Sequence, residues 1–250
     1  MLSASAVEVS VSLVAAAGLA AGACAYAAMW PSSQIFGRAL IAPRQSGEIV
    51  LTFDDGPNPA CTPRLLDILA NHQAHATFFL IGRFARSEPS LVRRIQAAGH
   101  LIGNHSWSHP NLAITGSTRV RQELQQTSDT LQQITGEPVR YFRPPYGGRR
   151  PVVLRIAREL DMTPVLWNAM TNDWQESSAT RIAQSIGAKI NKNRARGWAT
   201  NVVLHDGGHK ALGIDREPSI SAAELLLVRY QATHQFVTPD AWTENRPDQI

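Results

Sequence analysis

The chain has 250 residues, 44% hydrophobic and 18% charged, enough for one large α/β domain or two small ones with a core of normal size. Its net charge is +4, and 21 of its 24 basic residues are Arg, spread along the chain with Arg93-Arg94 and Arg149-Arg150 as the densest pairs. With no concentrated basic face, nucleic acid is not an expected partner. The two cysteines, Cys24 and Cys61, form no Cys-x-x-Cys, so neither a thiolate zinc site nor a disulfide framework is indicated.

Residues 9–36 contain no Asp, Glu, Lys or Arg. Residues 10–30 are rich in Ala, Val, Leu and Gly, and about 20 such residues suffice to cross a bilayer as a helix. Trp30 and Pro31 suit an interfacial end. The expectation for residues 1–36 is a hydrophobic helix acting as a membrane anchor or uncleaved signal; the alternative is a buried or poorly ordered Ala-rich helix. The stretch from Leu19 to Cys24 faintly suggests a lipoprotein processing site but lacks the basic residues that precede one. Arg38 and Arg44 follow the segment, and read literally the positive-inside rule would leave the body cytoplasmic.

A linker is expected over residues 37–47, and from residue 48 the pattern changes. Short apolar runs at 48–53, 76–81, 101–103, 140–142, 163–167, 200–204 and 235–237 read as strands. Helical stretches lie between them. Thr62-Pro63 opens a helix over 64–71, with proline at its first position. Ser87 precedes one over 88–98 that stops at Gly99. Others follow over 118–135, 151–161, 178–193 and 221–233. Regular β-then-α alternation implies a parallel sheet with right-handed crossovers. Seven such strands over residues 48–240 suggest an α/β barrel, complete or broken, with a tail at 241–250.

In such architectures function gathers at the carboxyl ends of strands, and the reactive residues of this chain fall there. Asp54 and Asp55 end the first strand; Asp-Asp-Gly-Pro is also an ordinary strand-ending turn. His105 and His109 follow the third strand. Four apart on a helical turn, they could share a metal, with Asp55 completing an Asp-His-His set that leaves coordination positions open. Zn²⁺ suits two imidazoles and one carboxylate; Mn²⁺, Co²⁺, Ni²⁺ and Fe²⁺ remain alternatives. Arg143, stiffened by two following prolines, could pair with a catalytic carboxylate. Asp173 follows the fifth strand and His205 ends the sixth, where a histidine held by a carboxylate could donate a proton. His72, His75, His100 and His234 belong to the opposite rim. His209 and Asp206 lie close by without a needed role.

Thr52-Phe53-Asp54-Asp55-Gly56, His105-Ser-Trp-Ser-His109, Arg143-Pro-Pro-Tyr-Gly147, Asp173-Trp174 and Leu204-His205 resemble, in order, the five motifs of the polysaccharide deacetylases, carbohydrate esterases of family 4 with a NodB-like domain. The resemblance covers about residues 47–240 and implies a distorted (β/α)7 barrel. It implies Asp54 as general base oriented by Arg143, Asp55, His105 and His109 as metal ligands, and His205 as general acid tuned by Asp173. It further implies the Tyr146 N–H as an oxyanion donor, and Trp174, Leu204 and Pro144 at the substrate pocket. Asp215-Arg216 resembles a recurrent family element in the last loop. One departure is visible: Met170 stands where the fourth motif usually begins with Asp, so substrate contacts or loop shape would differ. The implied activity is metal-dependent removal of acetyl groups from N-acetylglucosamine-containing glycans such as peptidoglycan or chitin-like oligomers, by a membrane-anchored protein facing the cell envelope. The rivals are deacylation of xylan acetyl esters or of a lipid-linked amino sugar, and an inactive membrane-tethered glycan-binding protein.

Overall fold

A computed structural model describes residues 4–243 of the chain. In chain order the elements are α1 (Ala4–Met29), β1 (Glu48–Gly56), α2 (Thr62–Asn71), β2 (Thr77–Leu80), α3 (Gly82–Ser87), α4 (Pro89–Ala97), β3 (Leu101–Asn104), α5 (Ser117–Thr135) and β4 (Tyr141–Phe142). A single 3₁₀ turn (Pro145–Gly147) follows, then α6 (Pro151–Glu159), β5 (Thr163–Pro164), β6 (Ala169–Met170), α7 (Ala179–Ala195), β7 (Thr200–His205), α8 (Glu217–Tyr230), β8 (Gln235–Val237) and α9 (Asp240–Thr243).

All strand pairs are parallel, in the order β5-β4-β3-β2-β1-β7-β6. β1 is the central strand and is buried along nearly its whole length, as expected where helices cover one face and a barrel interior the other. One of its edges is shared: Glu48–Val50 pair with β8 and Thr52–Gly56 with β2. Outward side chains such as Phe53, Phe78, Leu51 and Leu204 form the main core with the apolar faces of the helices, and Phe53 stacks on Phe78 at 5.4 Å.

The single strand expected over 163–167 is two short pieces, and the break is what distorts the barrel. β5 pairs with β4 (Tyr141↔Thr163), whereas β6 pairs with β7 (Ala169↔Val202). Between them the chain leaves one neighbour and joins another. Asn168 makes the change, exchanging hydrogen bonds with the Asn201 backbone in both directions (2.9 and 3.2 Å). The open seam is filled from the N-terminal side. Leu40 bridges Val165, donating to Pro164 O and accepting from Leu166 N at 2.8 Å each. Pro43 O then accepts from Ala199 N at 3.0 Å. Residues read as a linker from composition thus carry barrel hydrogen bonds.

Two helix boundaries also differ from expectation for local reasons. The helix expected from residue 88 is preceded by α3, because Pro89 disfavours helical backbone at Glu88 (φ −122°, ψ 51°). α8 starts at Glu217 rather than 221, with Pro218 in its first turn.

The membrane-anchor expectation is corrected: among the described residues, no helix is long and apolar enough to cross a membrane. α1 does form over part of the expected segment. Half of its 26 residues are Ala or Gly, whose small side chains transfer little apolar area. Its end is tied into the domain, with Ala27 buried and Ala28 O accepting from Arg149 N at 3.0 Å.

Candidate active site

Adjacent strand residues point to opposite faces, so a carboxylate doublet should place one acid inside and one outside. β1 avoids this with a bulge. Asp54 pairs with Phe79 and Gly56 with Leu80, leaving Asp55 as the extra residue at φ 70°. Both carboxylates therefore reach one cavity. The turn is closed from β7: a Cβ on Gly207 would lie 2.2 Å from Asp55 O, so only glycine fits there.

Asp54 is held by Arg143, whose side chain is fully buried. Nη1 donates to Asp54 Oδ1 at 2.8 Å and to Thr52 Oγ1 at 2.6 Å, and Nε to Val165 O at 3.3 Å. The guanidinium lies 4.1 Å from the Phe79 ring centroid. Burial depresses the Arg143 pKa and the Asp54 charge opposes that depression, so each ion justifies the other in the interior.

His105 and His109 converge, but not through a helical turn as expected. Ser106 (φ 65°) and His109 (φ 62°) both adopt left-handed backbone, folding the loop so that the two rings sit 5.0 Å apart. The loop is braced from below. Asn104 Oδ1 accepts from Ser106 N at 2.8 Å, and buried Glu123 accepts from Ser108 N and Oγ at 2.7 Å each. His105 Nδ1 donates to Arg143 O at 2.8 Å, which leaves Nε2 as the lone-pair nitrogen facing Asp55 Oδ1 at 3.6 Å. His109 Nε2 lies 3.1 Å from the same oxygen. Burial pushes the His105 pKa down to about 4, keeping the ring neutral as a ligand must be. Burial alone would raise Asp55, but the His109 and His209 imidazoles beside it hold it well below the usual carboxylate range.

The donor set passes a test for a cation on its own geometry. One ligand atom each from Asp55, His105 and His109 lie within 4.8 Å of one another. Asp55 Oδ1, buried, has no hydrogen-bond partner in the protein. Two imidazoles and one carboxylate match a catalytic divalent site with open positions.

Across the cavity His205 pairs in register with Asp54. Asp173 fixes it twice: Oδ1 accepts from the ring Nδ1 at 2.9 Å and Oδ2 from the backbone N–H at 2.8 Å. Ser219 Oγ donates to Asp173 Oδ2 at 2.7 Å. Burial by itself would lower the His205 pKa; the charge of Asp173, then its hydrogen bond, then Asp55 and Asp54, override it and raise the ring to about 9. The imidazolium is thus the resting form, with Nε2 left to donate.

The cavity holds about 290 Å³, at the lower end of small-ligand pockets (roughly 300 Å³). Tyr146 forms one wall, with its ring 4.7 Å edge-on from His109. Trp174 forms another, 5.0 Å from His205. Two expected pocket residues are not brought there. Leu204 packs in the core because it shares the outward parity of Phe53; its neighbour Val203 lines the cavity instead. Pro144 is buried behind the Tyr146 turn and does not line the cavity. Met170, the departure in the fourth motif, does line it.

His209 is the group sequence reasoning left out. Its ring stacks on His109 at 4.5 Å and 11°, Nδ1 lies 3.8 Å from Asp55 Oδ2, and Nε2 lies 3.4 Å from Tyr146 Oη. Its place four residues beyond His205, on a glycine-containing turn, was the available signal. Arg216 also lines the cavity, and Asn58 binds the Asp206 and Ile214 carbonyls at 2.8 Å each to hold the His209 loop against β1.

Fold and site together define a parallel α/β barrel whose carboxyl-end cavity gathers an Asp-His-His set that could hold a metal beside the buried Asp54–Arg143 pair. The polysaccharide deacetylase family model matches residues 42–165. The chain is 37% identical over 174 residues to a chitooligosaccharide deacetylase of Azorhizobium caulinodans, covering 69% of this chain and 80% of the relative. It is 40% identical over 148 residues to a peptidoglycan-N-acetylglucosamine deacetylase of Bacillus cereus, covering 59% and 54%. A solved peptidoglycan N-acetylglucosamine deacetylase in complex with an N-oxidanyl-benzamide superposes with a TM-score of 0.72 at 32% identity, covering 81% of this chain and 91% of that one. The chain belongs to the polysaccharide deacetylase family and is an enzyme of that class.

Proposed function

We propose that this enzyme removes acetyl groups from N-acetylglucosamine residues of a glycan, with Asp54 as general base and His205 as general acid. The observation that carries the reading is the pairing of these two groups across β1 and β7, each held by its own buried partner, on a cavity that also presents the Asp-His-His set. The similarity to chitooligosaccharide and peptidoglycan deacetylases supports the substrate class.

Asp55, His105 and His109 would hold a divalent cation, Zn²⁺ by the chemistry of the donors, with Co²⁺, Mn²⁺, Ni²⁺ and Fe²⁺ compatible. When bound, the cation supplies Lewis-acid chemistry, withdrawing charge from the acyl oxygen and easing deprotonation of water. Asp54, aimed by Arg143, accepts the proton of the attacking water. The Tyr146 N–H stabilises the developing oxyanion, a contribution of roughly 3–4 kcal/mol for one preorganised donor. His205, charged and oriented by Asp173, protonates the departing amine, which is a poor leaving group until it carries that proton. Asp173 holds the ring in place throughout.

A cavity of this size takes an acetamide group and part of one ring, so the rest of the glycan lies across the rim past Trp174 and Tyr146. We place the working enzyme in the cell envelope, where such polymers occur; fractionation followed by activity assay tests that location. The substrate is tested with purified protein, chelated and reloaded with metal, against N-acetylglucosamine oligomers, peptidoglycan, acetylated xylan and an acetylated lipid-linked amino sugar. Acetate release from the first two supports the reading. Release confined to the last two, or none with metal bound, contradicts it.

A further inference from the structure

Arg149 is 1% exposed, and among the described residues no carboxylate pairs with it. Moving an ion of this kind out of water costs several kcal/mol even after relaxation, so a buried arginine without an anion calls for a reason. Its partners are backbone carbonyls from two distant segments. Nη1 donates to Gly147 O at 3.0 Å. Nη2 donates to Trp30 O and Ser33 O, both at 2.7 Å, from residues 119 and 116 positions away. The Arg149 N–H donates to Ala28 O at 3.0 Å. Trp30 N and Ser33 N continue the helical pattern, to Tyr26 O at 2.9 Å and Trp30 O at 3.0 Å. Arg149 is therefore a cation placed on the carbonyl end of α1, where the helix dipole favours it.

The other hand of the same guanidinium grips the turn that carries Tyr146. That residue has φ 58° and ψ 10°, a left-handed conformation costing a non-glycine residue about 1 kcal/mol or more, which persists only where its surroundings over-determine it. Gly147 N and Gly148 N are already committed to Pro144 O and Pro145 O at 2.9 Å each. Arg149 holds the turn through Gly147 O and, through its backbone N–H and Nη2, links it to the segment from Ala28 to Ser33 outside the loop. On its cavity side the turn presents Tyr146 to His109 and His209.

We propose that Arg149 is a positioning residue for deacetylation. It anchors the Tyr146 turn to the end of α1 and so sets where the Tyr146 ring and backbone N–H meet the substrate. This rests on the proposed reaction at the same site. The segment from Ala28 to Ser33 is then a working part of the catalytic unit, although it lies outside every recognisable motif. Arg149 touches no reacting atom, so its loss should act on turnover and leave the cation set intact.

The test measures kcat, KM, bound metal and melting temperature for wild type, Arg149→Ala and Arg149→Lys on an N-acetylglucosamine oligomer. Arg149→Ala should lose kcat by roughly 10–100-fold, the scale of a small misplacement of a positioned group, with KM within about two-fold and metal content unchanged. Millimolar guanidinium should restore part of that kcat in Arg149→Ala and none in wild type. Arg149→Lys keeps the charge but loses the fork, and should fall between the two with a melting temperature close to wild type. Wild-type kcat in both variants overturns the proposal. A loss of kcat in both that tracks a fall in melting temperature, without guanidinium rescue, also overturns it and makes Arg149 a fold residue only. If wild type releases no acetate, the proposed reaction fails first, and the two failures are told apart.

Discussion

The two rims of the barrel use the same materials to different ends. Six non-glycine residues among those described have positive φ. At the amino-end rim, Gln73 and Asp161 simply end helices ahead of β2 and β5. At the carboxyl-end rim, Asp55, His109 and Tyr146 use the same strained backbone to bring side chains to one cavity, and Ser106 uses it to fold the loop that carries His105 and His109. Buried histidines occur at both: burial pushes His100 and His105 alike down to about 4. Unpaired buried nitrogens occur at both, on His100 and His234 as on His109. The larger cavity, about 650 Å³ lined by Arg44, Arg196, Trp198 and Trp242, is at the amino end. Size, strain and lone histidines do not mark the functional rim. Convergence of unlike groups does: two carboxylates, the paired imidazoles of His105 and His109, and the carboxylate-held imidazole of His205 about a single space.

The largest blow to that contrast is loss of the cation set. His105→Ala should remove the metal and, with it, several kcal/mol of transition-state stabilisation, roughly 10³-fold or more in turnover; equilibrium dialysis and acetate release check both. His100→Ala, at the other rim, should leave both readings within about two-fold. Next is Asp173→Asn, which should lower kcat by roughly 10²-fold. With His205 in the proposed role of acid, wild-type turnover should fall as pH rises toward about 9. A cation held at Asp55 would weaken the carboxylate support, placing the limb of the loaded enzyme at or below that value. Asp173→Asn should move this limb to lower pH, read from the pH profile of kcat.

A smaller effect is on stability. The His205 pKa is raised on folding, so the pair's contribution is fully present below the unfolded value near 6.5 and is lost as pH rises through about 9. The melting temperature of metal-free protein should fall across that window, and His205→Gln should flatten the fall. Smallest is Arg44→Ala at the amino end. Its guanidinium lies over Trp198 at 4.9 Å, a contact worth about 0.5–1 kcal/mol, and its removal should lower denaturant stability by that order with kcat unchanged.

Most of the site was legible because reactive side chains at strand ends are a local signal. Asp54, Asp55, His105, His109, Arg143, Asp173 and His205 each follow an apolar run, and the barrel collects such ends on one rim. Three things were not legible. The resemblance implies Leu204 at the pocket, whereas pairing with Phe53 gives Leu204 the outward parity and leaves Val203 lining the cavity. The loop over residues 105–109 is left-handed rather than helical, a choice made by Asn104 and Glu123 bracing it from below. The seam between β5 and β6 closes on Leu40, a long-range pairing that no local pattern around residues 37–47 announces. His209 was visible as a residue but not as a wall, since its contacts come from His109 and Tyr146 on other loops.

The central claim is that the adjacent acids are split, Asp55 serving the cation and Asp54 the proton. The direct test is Asp54→Asn, purified beside wild type and measured for bound metal and for acetate release from an N-acetylglucosamine oligomer. The account predicts wild-type metal content with turnover lowered by roughly 10³-fold. Full turnover in that variant, or loss of the metal along with activity, would contradict it.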